Sequence, residues 1–113
     1  MTFKEVEAMV AQTGLPHAYH HFKGTGVHPP FICFFYGSSN DLIADNTNYQ
    51  KIETLYVELY SNSKDFGLEA TVEGVLTTNG LVWSREETWI PDELLYEVIY
   101  TMDVVISPEP ATS

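Results

Sequence analysis

The chain has 113 residues, 44% hydrophobic and 13% aromatic, which is enough apolar surface to offset chain entropy in one core and too little length for a second. Sixteen acidic residues against five basic ones give a net charge of −11, so the electrostatic footprint of a nucleic-acid binder is absent and a DNA-reading role is excluded. A single cysteine rules out an internal disulfide framework, no stretch approaches the ~20 apolar residues of a membrane span, and MTFKEVEAMV lacks a basic segment followed by an apolar core. A cytosolic, reducing setting without membrane is therefore expected.

In chain order, Thr2 and Glu5 have capping-box spacing, and Phe3, Val6, Met9 and Val10 recur at helical intervals until Gly14 and Pro16 intervene. A helix over 3–13 is predicted. HAYHHF (17–22) reads as a short strand, and KGTGVHPP as a turn or loop. PFICFFY, apolar on both faces, reads as a central strand covered on each side. Cys33 within it reads as a small buried hydrophobe. GSSNDLIADNTN has loop composition with Leu42 and Ile43 inside it, and such a loop usually packs on something.

KIETLYVELY alternates with period two, placing Leu55, Val57 and Leu59 on one face and Tyr56, Glu58 and Tyr60 on the other. Ser61 to Ser63 are acceptable N-caps for a second helix carrying Leu68, Val72, Val75 and Leu76, with Asn79-Gly80 as its stop. Gly67 and Gly74 weaken this helix by roughly 1 kcal/mol each. LVWSREETWI and LLYEVIYTMDVVI read as the last two strands, the second with Leu94, Tyr96, Val98, Tyr100, Met102, Val104 and Ile106 on one face. The predicted fold is α+β, with two helices on one face of a mostly antiparallel sheet, in the order α-β-β-β-α-β-β. Hairpins are expected between strands one and two and between strands four and five. Residues 1–106 form one domain in this reading, and 107–113 a flexible tail.

The four histidines all fall in 17–28. In a regular strand His17 and His21 lie roughly 13 Å apart on one face and His20 points to the other, so no two of these three can chelate together. Only a distorted strand with His28 folded back would bring two imidazoles together. Exposed histidines near an interface are the expectation, with His20, His21 and His28 able to gain charge near pH ~6.5 beside an acidic partner. Glu86 and Glu87 face opposite ways, Glu93 and Glu97 read as solvated, and NDLIADNTN lacks calcium-loop spacing. No serine elbow, P-loop or dinucleotide fingerprint occurs. Trp83 and Trp89 share a face and read as core more than interface. The composition and motifs point to no enzyme and no cofactor.

Several stretches taken as a set carry a resemblance: Leu15 to Tyr19, the Pro30-Phe31 strand start, Ala44-Asp45-Asn46, Val57 to Tyr60, Lys64-Asp65 opening the second helix, and Glu86 to Ile90. The chain resembles small tail-completion proteins, of tail-terminator or head-tail joining type, from siphophages and prophages of Gram-positive bacteria. That resemblance implies a non-catalytic virion protein that forms a ring, expected to be a hexamer, at the head-proximal end of the tail tube. Its partners would be the major tail protein and head-tail connector proteins, with DNA only as passing cargo. It would reside in the host cytoplasm during assembly and then in the virion tail. The family often has basic or polar residues where this chain has His20-His21, so nothing about imidazole chemistry carries over. A ring needs a heterologous interface, placed on the loop 37–48 (Leu42, Ile43, Asp45, Asn46) and the loop 20–30 (His20, His28). The competing readings are another connector or minor capsid protein, a small histidine-dependent metal-binding protein, and an adaptor that binds a peptide at a sheet edge.

Overall fold

Thr2 opens the first helix with a true capping box: its hydroxyl accepts from the Glu5 N–H at 3.1 Å and the Glu5 carboxylate accepts from the Thr2 N–H at 2.8 Å. In this computed structural model, residues 1–24, 26–39, 42–43 and 49–108 are described, with 38–39, 42–43 and 49–50 given at the level of the backbone. Helix α1 spans Phe3–Ala11, slightly shorter than its apolar period, and buries Val6, Met9 and Val10.

Strand β1 (His17–Tyr19) pairs in parallel with β2 (Phe31–Ser39), His17 opposite Ile32 and Tyr19 opposite Phe34. This corrects the expected hairpin. The segment 20–30 is too long for a tight turn, and positive φ at His20, Gly24 and Gly26 lets it carry the chain back so that β2 runs in the same direction. Ile32 donates to the Pro16 carbonyl and His20 to that of Phe34, extending the parallel ladder at both ends.

The register between β2 and β4 (Tyr49–Ser61) shifts once, at Gly37 between Tyr36 and Ser38. The Tyr56 ring lies over this glycine, where an added Cβ would collide with it, so the bulge and the missing side chain belong together. Beyond the bulge the pairing continues from Ser39/Glu53 to Leu42/Gln50 and Ile43/Tyr49, the latter through β3 (Leu42–Ile43). Part of the predicted loop 37–48 is thus the arm of one long hairpin. β6 (Leu95–Ile106) pairs with β4 only from Lys51 onward, so the arm runs past the end of β6. Asp45 and Asn46, with the rest of 44–48, lie outside the described residues, as does 109–113, most of the expected flexible tail.

Asp65, not one of the preceding serines, caps helix α2 (Phe66–Thr78), its carboxylate accepting from Leu68 N–H at 3.1 Å. Asp is as good an N-cap as Ser, and it stands where Leu68 begins the apolar stripe. β5 (Trp83–Ile90) and β6 form the predicted second hairpin, and the sheet order is β1-β2-β4-β6-β5. Both helices cover one face. Val6, Met9, Val10, Val72 and Leu76 pack on Ile32, Phe34, Leu55, Val57, Leu59, Val98, Tyr100, Met102 and Val104, the alternate positions that the period-two pattern assigned to one side. Leu94 departs from that pattern. It sits at φ 54 in the turn before β6 and is 69% exposed.

Candidate assembly surfaces

Between the helices and the sheet, polar chemistry converges on Glu69, a carboxylate 2% exposed and missed by the apolar periodicity of α2. It accepts from Lys64 Nζ and from Arg85 Nη1, each at 2.8 Å, while Arg85 also reaches Glu73 at 3.4 Å. Tyr100, fully buried, donates its hydroxyl to Glu73 at 2.8 Å, and Trp83 meets its ring edge-on at 5.3 Å. Burial, then the bond to Glu73, hold the Tyr100 hydroxyl far above its ordinary pKa. The network ties α2 to β5 and β6. It is closed on itself and fully partnered, which makes it a brace and not a reacting centre.

Among the described residues, the other face of the sheet carries no helix. Cross-strand partners set out its rows: Phe31–Tyr60–Glu97–Thr88, then Cys33–Glu58–Ile99–Glu86, then Phe35–Tyr56–Thr101–Ser84. Phe31 stacks on Tyr60 with centroids 5.1 Å apart, and Phe35 on Tyr56 at 5.0 Å. The row between these aromatic pairs has the small Cys33 beside Glu58, with Glu97 diagonal to Glu58. The expectation that PFICFFY is covered on both sides holds for the helix side. On the open side the cover is local, with Phe22 meeting Phe31 at 5.3 Å and His20 meeting Phe35 at 5.6 Å.

Glu58 is not an ordinary surface carboxylate. Burial first, then a hydrogen bond and the like charge from Glu97, push its pKa up to about 7. The same burial, with Glu58 and Glu97 behind it, raises the Cys33 thiol to about 11, so this thiol stays protonated and unreactive at neutral pH. Tyr60 is raised as well, by burial and its bond to Glu97. Because the folded pKa of Glu58 lies above its ordinary value of 4.5, its contribution to stability is full below that value and is lost as the pH rises through about 7. The wild type should therefore be more stable at pH 5.5 than at pH 8, by about 1 kcal/mol once screening of a half-exposed group is allowed for, and melt at a correspondingly higher temperature. Glu58→Gln should flatten that dependence and be the more stable protein at pH 8; an unchanged slope in thermal melts would refute the assignment.

Tyr19 ends β1, and His20 turns out of it at φ 69. That turn overrides the strand geometry expected for 17–22 and sets His20 Nδ1 and His21 Nδ1 3.1 Å apart, where an undistorted strand would have separated them. A pair is not a metal centre: the described residues contain no group of three or more His, Cys, Asp or Glu placed to hold an ion. His17 is engaged elsewhere, its Nδ1 3.0 Å from the Leu15 carbonyl. His20, His21 and His28 are all exposed, and His20 and His21 line an open cleft of about 330 Å³ on the uncovered face, with Phe31, Cys33, Tyr60 and Leu95. Leu42 and Ile43 are placed on the hairpin arm, well removed in the sheet register from β1 and the 20–30 segment. Leu42 and Ile43 therefore lie apart from His20 and His28, while Asp45 and Asn46 are outside the described residues.

Exposed apolar side chains mark further surface. Phe66 is 74% exposed with Lys64 Nζ 4.7 Å above its ring, and Lys64 also lies 5.5 Å from the Tyr96 ring, whose cross-strand partner is Trp89, 46% exposed. The two tryptophans divide between roles: Trp83 packs on the core and Trp89 faces outward. No helix is long and apolar enough to cross a membrane among the described residues.

No family model matches this chain, and no curated protein matches it in sequence. Its fold is similar to that of a chain in a solved structure described as the virion of a native gene transfer agent particle. The TM-score is 0.61 at 9% sequence identity, over 92% of this chain and 90% of that one, so the likeness is one of whole folds.

Proposed function

We propose that this protein is a structural subunit of a phage-like particle and acts by assembling, not by catalysis. The observation that carries the reading is the end-to-end fold likeness to a gene transfer agent virion chain. The exposed Phe66, Trp89 and Leu94, the uncovered aromatic sheet face and the projecting hairpin arm support it, because large apolar residues on a surface mark contact sites. More specifically, the protein would cap the head-proximal end of a tail tube as a hexameric ring and present a surface to the head connector, its partners being copies of itself, the major tail protein and connector proteins. A connector or minor capsid role in the same particle is the nearest alternative. With −11 charges per chain, an acidic lumen would let DNA pass without adhering.

In this reading the ring contact joins two different stretches, the 37–48 segment (Leu42, Ile43, Asp45, Asn46) and the 20–30 segment (His20, His28), as a heterologous interface requires. Light scattering and negative-stain imaging, alone and in the presence of tail tubes, test it, with rings of about six subunits expected. Leu42→Ala with Ile43→Ala should abolish ring formation while leaving circular dichroism unchanged. A double variant that assembles normally removes the arm from the interface, and a particle without this subunit at the tube end removes the tail-capping role.

A further inference from the structure

The uncovered sheet face combines three features that are rarely adjacent: stacked aromatic rings, a half-buried pair of carboxyl groups, and an open cleft beside them. Cys33 and Tyr60, which line the cleft of about 330 Å³, are the direct cross-strand partners of Glu58 and Glu97. Its wall is completed by His20, His21, Phe22 and Val27 on one side and by Glu93, from the turn between β5 and β6, on the other. The groups set against Glu58, namely Cys33 from β2, Tyr60 from β4 and Glu97 from β6, are all acids, neutral when protonated and negative when ionised, and the cleft beside them adds the imidazoles of His20 and His21 and the carboxyl of Glu93.

Among the described residues no lysine or arginine is set against this carboxyl pair, and the nearest basic groups, the exposed His20 and His21, stand in the wall of the cleft beside it. The cations that stabilise the other carboxylate cluster, Lys64 and Arg85, are held by Glu69 on the opposite side of the sheet. Arg85 is the chain's single arginine. A guanidinium suits the vacant position better than an ammonium, since it is flat, stacks on ring faces, and pairs with carboxylates through two parallel hydrogen bonds. A second copy of this chain cannot provide one without breaking its own Glu69 network.

We infer that the open face of the sheet is a docking surface for a different protein, which inserts an arginine side chain between Glu58 and Glu97 against the Phe31–Tyr60 stack. This inference rests on the assembly reading only in taking the occupant to be a protein. The ring contact proposed above meets this surface only at His20 in the cleft wall and does not use Glu58, Glu97, Phe31 or Tyr60, so the two can fail separately.

N-acetyl-arginine amide serves as the probe, titrated into the full chain and followed by NMR of the glutamate carboxyl and aromatic resonances, with N-acetyl-lysine amide and N-acetyl-citrulline amide alongside. The arginine amide should move the signals of Glu58, Glu97, Phe31 and Tyr60 together and lower the titration midpoint of Glu58 by about one unit, as an opposite charge at contact does. The citrulline amide, of the same shape without charge, should do neither. The isosteric double variant Glu58→Gln with Glu97→Gln should keep its circular dichroism and its self-association and bind arginine amide at least roughly ten-fold more weakly, a loss of about 1.4 kcal/mol. Equal responses to citrulline or lysine amide, shifts that fall elsewhere, no response, or undiminished binding by the double variant would each overturn the inference.

Discussion

Tyr100→Ala is expected to destabilise the protein by about 3–5 kcal/mol, the range for removing a large buried ring. Tyr100 is 0% exposed, sits among Val98 and Met102 on the helix side of β6, and receives the edge of Trp83. Its deletion would leave a void that side chains fixed by β4 and α2 can close only in part. For a chain of this length that loss lowers Tm by roughly 10–20 °C. Tyr100→Phe separates packing from hydrogen bonding. It keeps the ring and removes only the donor to Glu73 at 2.8 Å, and a loss of about 1–2 kcal/mol follows. Urea melts of the two variants against wild type measure the difference; equal losses would mean that the hydroxyl, not the ring, holds this layer together.

Glu69→Ala comes next, at about 2 kcal/mol, because it removes two charge-assisted hydrogen bonds at once. Glu69 is the buried hub, while Lys64 and Arg85 are about a quarter and a third exposed at 25% and 37%. Those cations can therefore turn to water, Glu87 or Glu73, which keeps the loss below that of stranding a charge in the core. Glu69→Leu fills the space and should recover part of the loss, since a well-packed apolar side chain can replace a buried ion pair. Stability that falls further in Glu69→Leu than in Glu69→Ala, read from the denaturation midpoints, would argue against this account. Because Lys64 also spans Phe66 and Tyr96, Glu69→Ala should loosen the exposed patch at the start of α2 as well. That links the brace inside the fold to the exposed Phe66 on its surface.

The two sheet faces divide the labour of this chain. The helix side is closed by apolar packing and the Glu69 network, and mutations there act on stability. The open side keeps a carboxyl pair and stacked rings at the cost of desolvation and like-charge repulsion. Substitutions at Glu58 should accordingly stabilise the isolated protein above pH 7.

Much of the fold was legible from periodicity. Alternation in 52–60 and 94–106 placed Leu55, Val57, Leu59, Val98, Tyr100, Met102 and Val104 on one side, and all are buried against the helices, because side-chain direction in a strand depends only on its own pleat. The capping box at Thr2 and Glu5 is equally local and formed as read. The sequence also determined that Cys33 would be buried and that Tyr56, Glu58 and Tyr60 would share a face.

What only the tertiary structure decided depends on register and path. The Glu58–Glu97 pair exists because β4 and β6 align Tyr60 with Glu97, and nothing within either strand encodes that alignment. Glu69 finds Arg85 only once α2 is laid across β5. The parallel pairing of β1, and the turn that sets His20 beside His21, follow from where the 20–30 segment must deliver the chain. A one-residue change of register would have sent Glu58 to the helix side and left no such pair.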